Sequence, residues 1–495
     1  MKNKSVGVAK NFIYNLIYQM LIILLPLITT PYLSRILKSE GIGIFSYTCS
    51  IVTFFILFGS VGSSLYGQRE IAYVSSDSKK LSIKFYELVI IRLVFLSISM
   101  LIFYFTFCIN NQYSLYYKIL LLEIIANIFD ISWFFQGKEE FGKLVTRNSI
   151  VKILCLFLIF TCIHTERDLW KYFLIYVSAD VLGNLATWLY LPKYLVKIDK
   201  KDLQFKKHII PMLSLFLPQV AIQIYTVLDK TMIGIITNNM SEVGFYEQAQ
   251  KITKAALSVI TSLQVVMNSR IAILHASKKK MEIKNNMERS FNFTWLLGIP
   301  LSFGIVGISH GLVSWYYGPG YEPVELILVV ISPIILAIGF SSVIGVQYLV
   351  QVGKIKEFTK AIILGCITNF VLNIILIKHL NSTGAAIASV VAETVVFLVQ
   401  LWYLKDDYSD LSILKGSYKP IIAGVLMLLI VKYLDLSLNV SIMSTILEII
   451  FGAVVYLGLL ILFKYKLLLD IINQIYVAIR DFMKRRKASE KNIDI

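Results

Sequence analysis

Ionisable side chains lie inside several long apolar stretches of this sequence, and they are the residues that could do chemistry there. Glu123, Asn127 and Asp130 stand at i, i+4 and i+7, which places them on one face of a helix. Inside a bilayer an ionisable group costs at least about 2.5–3.5 kcal/mol on insertion scales, so it normally faces a partner or a water-filled cavity. A carboxyl group in such a place could bind and release a proton or ligate sodium, whereas a cationic side chain could hold an anion.

The composition shows that these stretches belong in a membrane. The chain has 495 residues, of which 57% are hydrophobic and only 16% are charged, and its mean hydropathy is +0.71. An ordinary soluble domain carries roughly a quarter charged residues and about half apolar ones. The sequence therefore excludes a water-soluble domain and predicts an all-α polytopic membrane protein.

Stretches long enough to cross a bilayer, roughly 20 mostly apolar residues each, follow one another along the chain and predict about 14 transmembrane helices. The loops left between them are too short to hold a folded domain. A phosphate-cradling loop is missing: at the nearest approach, Gly353-Lys354, Ile355 follows the lysine and Tyr348 stands where the first glycine belongs. We therefore do not expect the chain to hydrolyse ATP.

The cysteines and histidines give no sign of a metal or redox centre. The five cysteines contain no Cys-x-x-Cys pair, and the five histidines contain no His-x-x-x-His pair. We expect no catalytic residues, no metal site and no cofactor, with a proton or a sodium ion as the coupling ion.

The basic residues are distributed unevenly between alternate loops. Most of the 48 Lys and Arg residues fall in the even-numbered loops and the two tails, and such residues stay on the cytoplasmic side of a membrane. Both termini are therefore predicted to be cytoplasmic, and the net charge of +17 is chiefly a signal of topology. The strongest clusters run from Lys193 to Lys207 and from Arg270 to Arg289.

A weak internal repeat indicates two halves. Residues 37–45 (LKSEGIGIF) follow the first predicted span, and residues 241–246 (SEVGFY) occupy the corresponding place after the seventh. An offset of six spans relates the halves by an axis along the membrane normal, as in some secondary transporters. The predicted segments are 1–195 (N-lobe, spans 1–6), 196–207 (cytoplasmic linker), 208–405 (C-lobe, spans 7–12), 406–465 (spans 13 and 14) and 466–495 (basic cytoplasmic tail).

Four separated motifs resemble those of Wzx-type polysaccharide flippases. They are PYLSRIL (31–37), DISWFFQGKEEF (130–141), DKTMIG (229–234) with EVGFYEQAQKI (242–252), and YGPGY (317–321). The resemblance extends from residue 10 to about residue 405; the last two spans carry nothing diagnostic, and Gly41 and Gly43 depart from the usual pattern. It implies the MATE-like fold of the MOP exporter superfamily, with two six-helix lobes around a cavity and two further C-terminal helices. It also implies an oligosaccharide substrate on an undecaprenyl diphosphate carrier.

This resemblance gives the intramembrane charges two roles. A diphosphate loses its hydration on crossing the bilayer, so a cavity must supply cationic hydrogen-bond donors. The candidates for substrate binding are Arg35, Arg92, Lys230, Lys251 and Lys254. The candidates for ion coupling are Glu123, Asp130, Asp180 and Asp229.

Structural alternatives stay open for these residues. Arg92 could extend its head to the cytoplasmic interface, and Arg35 could contact headgroups at the outer end of the first span. Asp229 and Lys230 could form an ion pair between the lobes. The polar stripe in the fourth span could serve only for hydrogen bonding between helices.

The function expected is ion-gradient-driven flipping of lipid-linked repeat units across the bacterial cytoplasmic membrane, for capsule or exopolysaccharide synthesis. The expected partners are that lipid, the bilayer and the polymerase and glycosyltransferases of the pathway, without nucleic acid. A multidrug exporter of the same superfamily would favour an anionic or aromatic cavity, whereas Lys230, Lys251 and Lys254 are cationic. A membrane-embedded polysaccharide polymerase would need a sizeable outer loop with paired catalytic groups, and the outer loops here are short.

Overall fold

The computed structural model describes residues 2–408, 413–414, 416–474, 476–477 and 480. Side chains are described from residue 25 onward, except at 141, 143, 146, 215, 217–219, 221, 222, 224–226, 263, 265 and 266. The second half of the predicted basic tail, residues 481–495, lies outside the described residues.

Every regular element in these residues is helical, which confirms the all-α class. The helices are α1 (Lys2–Ser60), α2 (Ser63–Tyr73), α3 (Ser78–Phe103), α4 (Ser114–Ile128), α5 (Ser132–Gly137), α6 (Phe141–Cys162), α7 (Leu169–Trp188), α8 (Lys206–Thr237), α9 (Met240–Ala276), α10 (Lys280–Gly307), α11 (Ser309–Tyr317), α12 (Pro323–Ile331), α13 (Ile334–Ile344), α14 (Ile355–Lys405), α15 (Tyr418–Ser437) and α16 (Ile442–Leu462). Short π-helical segments, Tyr104–Cys108 and Gly345–Leu349, extend α3 and α13.

The two longest helices are each broken by one residue in a left-handed conformation. Helix α1 has 59 residues and α14 has 51, and at 1.5 Å per residue each is far longer than the roughly 30 Å of a bilayer core. Lys38 (φ 56°) interrupts α1, and Asn381 (φ 50°) interrupts α14. Each is therefore two helices in series, joined by a sharp turn.

Ten helical segments of the described chain are long and apolar enough to cross a membrane. The most apolar is Pro323–Leu349, with a mean hydropathy of 2.6. The protein is therefore a multi-pass membrane protein, while the count of 14 spans stays a prediction.

The burial pattern is the reverse of that in a soluble protein. Leu101 and Phe105 on the outside are 54% and 68% exposed, whereas Glu87, Arg92 and Asp229 are buried. Apolar side chains on the outside of a helical bundle face lipid, and buried charges mark partners or function. The charged groups inside the helices are therefore where the site must be sought.

The chain divides into two compact units. The first contains the chain up to Glu247 together with Tyr317–Tyr321 and Phe370–Ala385. It has two apolar cores, one around Phe103, Tyr117 and Phe173 and the other around Phe85, Trp133 and Phe134.

The second unit contains Gln248–Tyr316, Glu322–Asn369 and the chain from Ala386 onward. Its core surrounds Phe291, Trp295 and Phe340, and residues of α15 and α16 pack into it. The predicted lobe boundaries at 195 and 208 stay predictions.

Candidate functional site

A cavity of about 350 Å³ lies within the first unit, between α1, α6 and α7. Pro26 of α1 borders it, and its other walls carry Arg147 and Lys152 on α6 and Asp180 and Asn184 on α7. Asp180, a predicted ion-coupling residue, therefore stands on the wall of a polar cavity beside two cationic side chains.

The carboxyl group of Asp180 lies close enough to that of Glu123 on α4 for the two to interact. A carboxylate has no hydrogen to donate, so a hydrogen bond between them forms only when one of the two groups carries a proton. Oxygen Oε2 of Glu123 is buried and has no hydrogen-bond partner in the described residues. The structure thus brings together two of the four predicted ion-coupling residues as a pair that can share one proton.

Arg147 is a site residue that the sequence analysis missed. Its Nη1 donates to the carbonyl oxygen of Gly183 and to Oδ1 of Asn184, both at 3.1 Å. Asn184 in turn donates to the carbonyl oxygen of Ala126 on α4, at 2.8 Å. Arg147 comes just before an apolar stretch that begins near residue 148, so hydrophobicity alone does not include it. Helix α6 begins at Phe141 and therefore contains Arg147.

Arg92 is almost fully buried, with 2% exposure. Its Nε donates to the carbonyl oxygen of Asn127 at 2.8 Å, and its Nη1 donates to the hydroxyl oxygens of Ser63 and Ser64, both at 2.9 Å. Its Nη2 lies 3.6 Å from Oδ2 of Asp130. The head group therefore does not extend to the membrane interface, the alternative considered from the sequence, because it links α2, α3 and α4.

The spacing predicted that Asp130 shares a helical face with Glu123 and Asn127. The structure shows that it does not. Helix α4 ends at Ile128 and α5 begins at Ser132, so Asp130 lies in the break. Its Oδ1 accepts from the backbone N–H of Ser132 at 2.9 Å. Asp130 thus holds the turn between two helices and joins Arg92, a residue predicted for the other role.

Asp229 on α8 is buried between two neutral donors. The hydroxyl of Tyr246 donates to its Oδ2 at 2.5 Å, and Nδ2 of Asn373 donates to its Oδ1 at 2.7 Å. These contacts join α8, α9 and α14 within the first unit.

Lys230, next to Asp229, forms an ion pair with Glu247 on α9. Oε2 of Glu247 also accepts from the hydroxyl of Ser46 at 2.9 Å. Lys251 and Lys254 follow Glu247 on the same face of α9, one and two turns further along; Lys251 is half-buried and Lys254 exposed. Lys251 and Lys254 therefore share a face of α9, while Lys230 is held by a carboxylate.

Arg35 lies exposed near the end of the first half of α1, against the loop Tyr317–Tyr321. Its Cγ is 3.3 Å from where a Cβ on Gly318 (φ +88°) would stand. The neighbouring Ser34 donates to the carbonyl oxygen of Tyr317 at 3.1 Å, and Tyr321 donates to that of Ser34 at 3.2 Å. The two motifs that contain these residues are thus packed together.

The two copies of the internal repeat touch each other through glycine. A Cβ on Gly43 would stand 1.7 Å from the carbonyl oxygen of Met240, and a Cβ on Gly244 would stand 2.1 Å from that of Ser39. We call these four residues the glycine seam. The sequence pattern found the repeat because only glycine allows the two turns to approach so closely.

A second buried cluster, which the sequence analysis also missed, lies at the start of α8. Nε2 of His208 is 2.7 Å from Oε2 of Glu87, and its Nδ1 is 2.8 Å from the hydroxyl of Tyr66. Oε1 of Glu87 accepts from the backbone N–H of Gln204 at 2.5 Å and pairs with Lys207 at 3.0 Å. The cluster ties the predicted linker to α2 and α3. Glu87 lies in the charged first part of α3, which begins at Ser78. Hydrophobicity marks only the later, apolar part of this helix, so the sequence did not indicate Glu87.

Within the described residues, no group of three or more His, Cys, Asp or Glu side chains is placed to hold a metal ion. The Glu123–Asp180 pair could hold a proton, because a hydrogen bond between two carboxyl groups requires one.

Comparison with known proteins places this arrangement in a family. The profile of the family described as "Polysaccharide biosynthesis protein" matches residues 8–267, and that of "Lipid II flippase MurJ" matches residues 144–467. A candidate O-antigen transporter of Escherichia coli (strain K12) is 25% identical over 415 residues, which cover 82% of this chain and 99% of that protein. A candidate low-salt glycan biosynthesis flippase, Agl15 of Haloferax volcanii, is 25% identical over 48% of this chain and 51% of its own length.

Solved structures agree on the fold. The lipid II flippase MurJ in an inward closed conformation superposes with a TM-score of 0.69 at 17% identity, over 94% of this chain and all of that one. An inward-facing MATE family multidrug transporter of the MOP superfamily gives 0.59 at 13% identity, over 80% of this chain and 99% of that one. Together with the family matches, which each cover more than half of the chain, these findings show that the chain belongs to the Wzx-type flippases of the MOP superfamily and is a transporter, not an enzyme.

Proposed function

We propose that this flippase moves undecaprenyl-diphosphate-linked oligosaccharide repeat units from the inner to the outer leaflet of the bacterial cytoplasmic membrane, for capsule or exopolysaccharide synthesis. Two of its relatives carry names that refer to O-antigen and to glycan biosynthesis, which supports a lipid-linked glycan as the substrate. The basic loops support an orientation with both termini in the cytoplasm. The polymerase and glycosyltransferases of the pathway would then act on either side of this step.

The diphosphate is held by cationic side chains in this proposal. Lys251 and Lys254 on α9, with Arg35 and Lys230, are the residues we assign to it. Lys230 would exchange its carboxylate partner, Glu247, for a phosphate oxygen. Arg92 acts by position instead, because Asn127, Ser63 and Ser64 already accept from its guanidinium.

A proton drives the transport step, and the observation that carries this part is the close approach of the Glu123 carboxyl group to that of Asp180, which lines the cavity. With the proton bound, the pair holds α4 against α7. Once the proton leaves, two negative charges stand in contact and repel each other. A conformation that separates the two groups is then favoured, so proton binding and release shift the population between two arrangements.

The experiment is a deletion strain complemented with variants, with lipid-linked repeat units measured on each leaflet. Without the protein, finished units should accumulate on the cytoplasmic face, and the wild-type gene should restore the surface glycan. Lys251→Gln with Lys254→Gln should leave the units inside although the protein reaches the membrane. Lys278→Gln with Lys279→Gln removes the same charge from an exposed loop and should complement fully.

A deletion strain with unchanged surface glycan and no accumulated units would contradict the proposed substrate. The same strain should keep its resistance to organic cations. A loss of that resistance, with normal glycan, would instead favour the multidrug exporter.

A further inference from the structure

A second polar cavity, of about 820 Å³, lies within the second unit, far along the chain from the carboxyl pair. Three chain segments line it: the region from Arg270 to Asn292, the start of α15, and the chain just after α16. We call it the basic cleft. Its lining includes Arg270 and Arg289, the two ends of a basic cluster identified in the sequence. The transport proposal gives this cluster no role.

Cations outnumber acids on the walls of the basic cleft. The lining includes five basic residues and three acidic ones; the basic ones are Arg270, Arg289, Lys419, Lys464 and Lys466, and the acidic ones are Glu282, Glu288 and Asp470. Arg270 already lies 3.6 Å from Glu282. The other four cations form no ion pair within the described part of the chain. The cleft therefore holds uncompensated positive charge.

The walls of the basic cleft are fixed by contacts in which the ammonium group of Lys419 also takes part. Tyr465 is buried, and its hydroxyl donates to the carbonyl oxygen of Asn292 at 3.1 Å. Lys464 has a left-handed backbone (φ 50°) that ends α16, and its carbonyl oxygen accepts from Nζ of Lys419 at 3.3 Å. Arg289 stands one turn from Asn292 on the same helix face. Three segments are thus held around one space.

The cleft lies at the ends of membrane-crossing helices. Helix α15 begins at Tyr418, and α16 ends at Leu462. Ile422 and Leu462, which are 46% and 72% exposed, continue from the cleft as an apolar surface on these helices. A molecule with a phosphate at one end and acyl chains at the other would match a cationic cleft that continues into an apolar helix surface.

We propose that the basic cleft binds the phosphate headgroup of an anionic lipid, with Arg289, Lys419 and Lys464 as its donors and the acyl chains against α15 and α16. Arginine can hold two phosphate oxygens at once, and the two lysines supply further charge-assisted hydrogen bonds. The membrane's own phospholipid is the source we assign, because the cleft belongs to the ends of the last two helices, to the end of α9 and to the first part of α10. It contains none of the residues assigned to the transported diphosphate. The site would anchor these helices to the inner leaflet in the proposed orientation.

The test measures binding of short-chain phosphatidylglycerol and phosphatidylcholine to the purified full-length protein in a neutral detergent. The wild type should prefer phosphatidylglycerol, and the preference should fall with salt because exposed charges are screened. Arg289→Gln with Lys464→Gln should weaken phosphatidylglycerol binding about tenfold or more, because each loses a charge-assisted bond. Lys200→Gln with Lys201→Gln removes the same charge from exposed residues that are not in the cleft and should change it less than about twofold.

One variant should act in the opposite direction and so cannot be explained by misfolding. Glu288→Gln removes a carboxylate from the wall and should tighten phosphatidylglycerol binding. An equal loss of binding in the Lys200→Gln, Lys201→Gln control, or weaker binding in Glu288→Gln, would overturn the site. If the cleft variants lose undecaprenyl diphosphate and keep phosphatidylglycerol, the cleft takes the transported carrier and the phospholipid assignment is wrong.

Discussion

The glycine seam and the carboxyl cavity of the first unit hold helices together in opposite ways. At the seam, Gly43 and Gly244 let two backbones touch, and shape alone decides the fit. At the cavity, Glu123 and Asp180 bring two carboxyl groups together, which need a shared proton to form a hydrogen bond, so charge decides the fit. A contact made by shape does not change with pH or with an ion gradient, whereas a contact made by a proton does. The difference assigns the seam to structure and the cavity to coupling.

The largest stability effect is expected at the seam. Gly43→Ala would place a Cβ 1.7 Å from a carbonyl oxygen, so the two turns must move apart, and overpacking of this kind costs about 1–3 kcal/mol. Thermal unfolding of the purified protein should show a clear loss. Gly458→Ala is the matched control, because nothing lies within 4 Å of its added Cβ, and it should be neutral or slightly stabilising. Equal melting temperatures of the two variants would contradict the claim that close packing at the glycine seam stabilises the protein.

An intermediate effect is expected for the wall of the cavity. Arg147→Gln removes the hydrogen bonds to Gly183 and Asn184, which should cost about 1–2 kcal/mol. It also removes a positive charge beside Asp180. Arg147→Gln should therefore change both the stability to unfolding and the proton dependence of transport. A seam variant with the same loss of stability should leave the proton dependence unchanged. Normal proton dependence in Arg147→Gln would make this residue purely structural.

The smallest effect is expected for a hydrogen bond beside the seam. The hydroxyl and the backbone N–H of Ser382 both donate to Oε2 of Glu242. Ser382→Ala removes only the first, and we expect a loss of about 0.5–1.5 kcal/mol, measured by the same unfolding assay. A loss as large as that of Gly43→Ala would mean that polar contacts and not shape hold this region.

The sequence predicted the helices well wherever hydrophobicity decides. It indicated the internal repeat because Gly43 and Gly244 occupy corresponding positions in two similar short segments. It failed at helix starts that carry charge: α3 and α6 begin well before their apolar stretches, so Glu87 and Arg147 were left in loops. It also could not place Asp130, because the break after Ile128 has no glycine or proline to mark it.

The meeting of Glu123 with Asp180 was beyond the sequence for another reason. Each residue was a candidate by itself, but their contact depends on how α4 packs against α7, and helical periodicity gives only the face that each residue occupies. The same holds for Arg92 and Asp130, which spacing assigned to different roles and which the fold brings within 3.6 Å.

Transport by the reconstituted protein under an imposed pH gradient tests the central claim most directly. Proteoliposomes would carry a fluorescent lipid-linked diphosphate sugar, and its movement between leaflets would be followed with and without the gradient. The wild type and Asp199→Asn, an exposed loop control, should be accelerated by the gradient, while Asp180→Asn should show the same slow rate in both conditions. Full acceleration of Asp180→Asn by the gradient would contradict the assignment of the carboxyl pair to proton coupling.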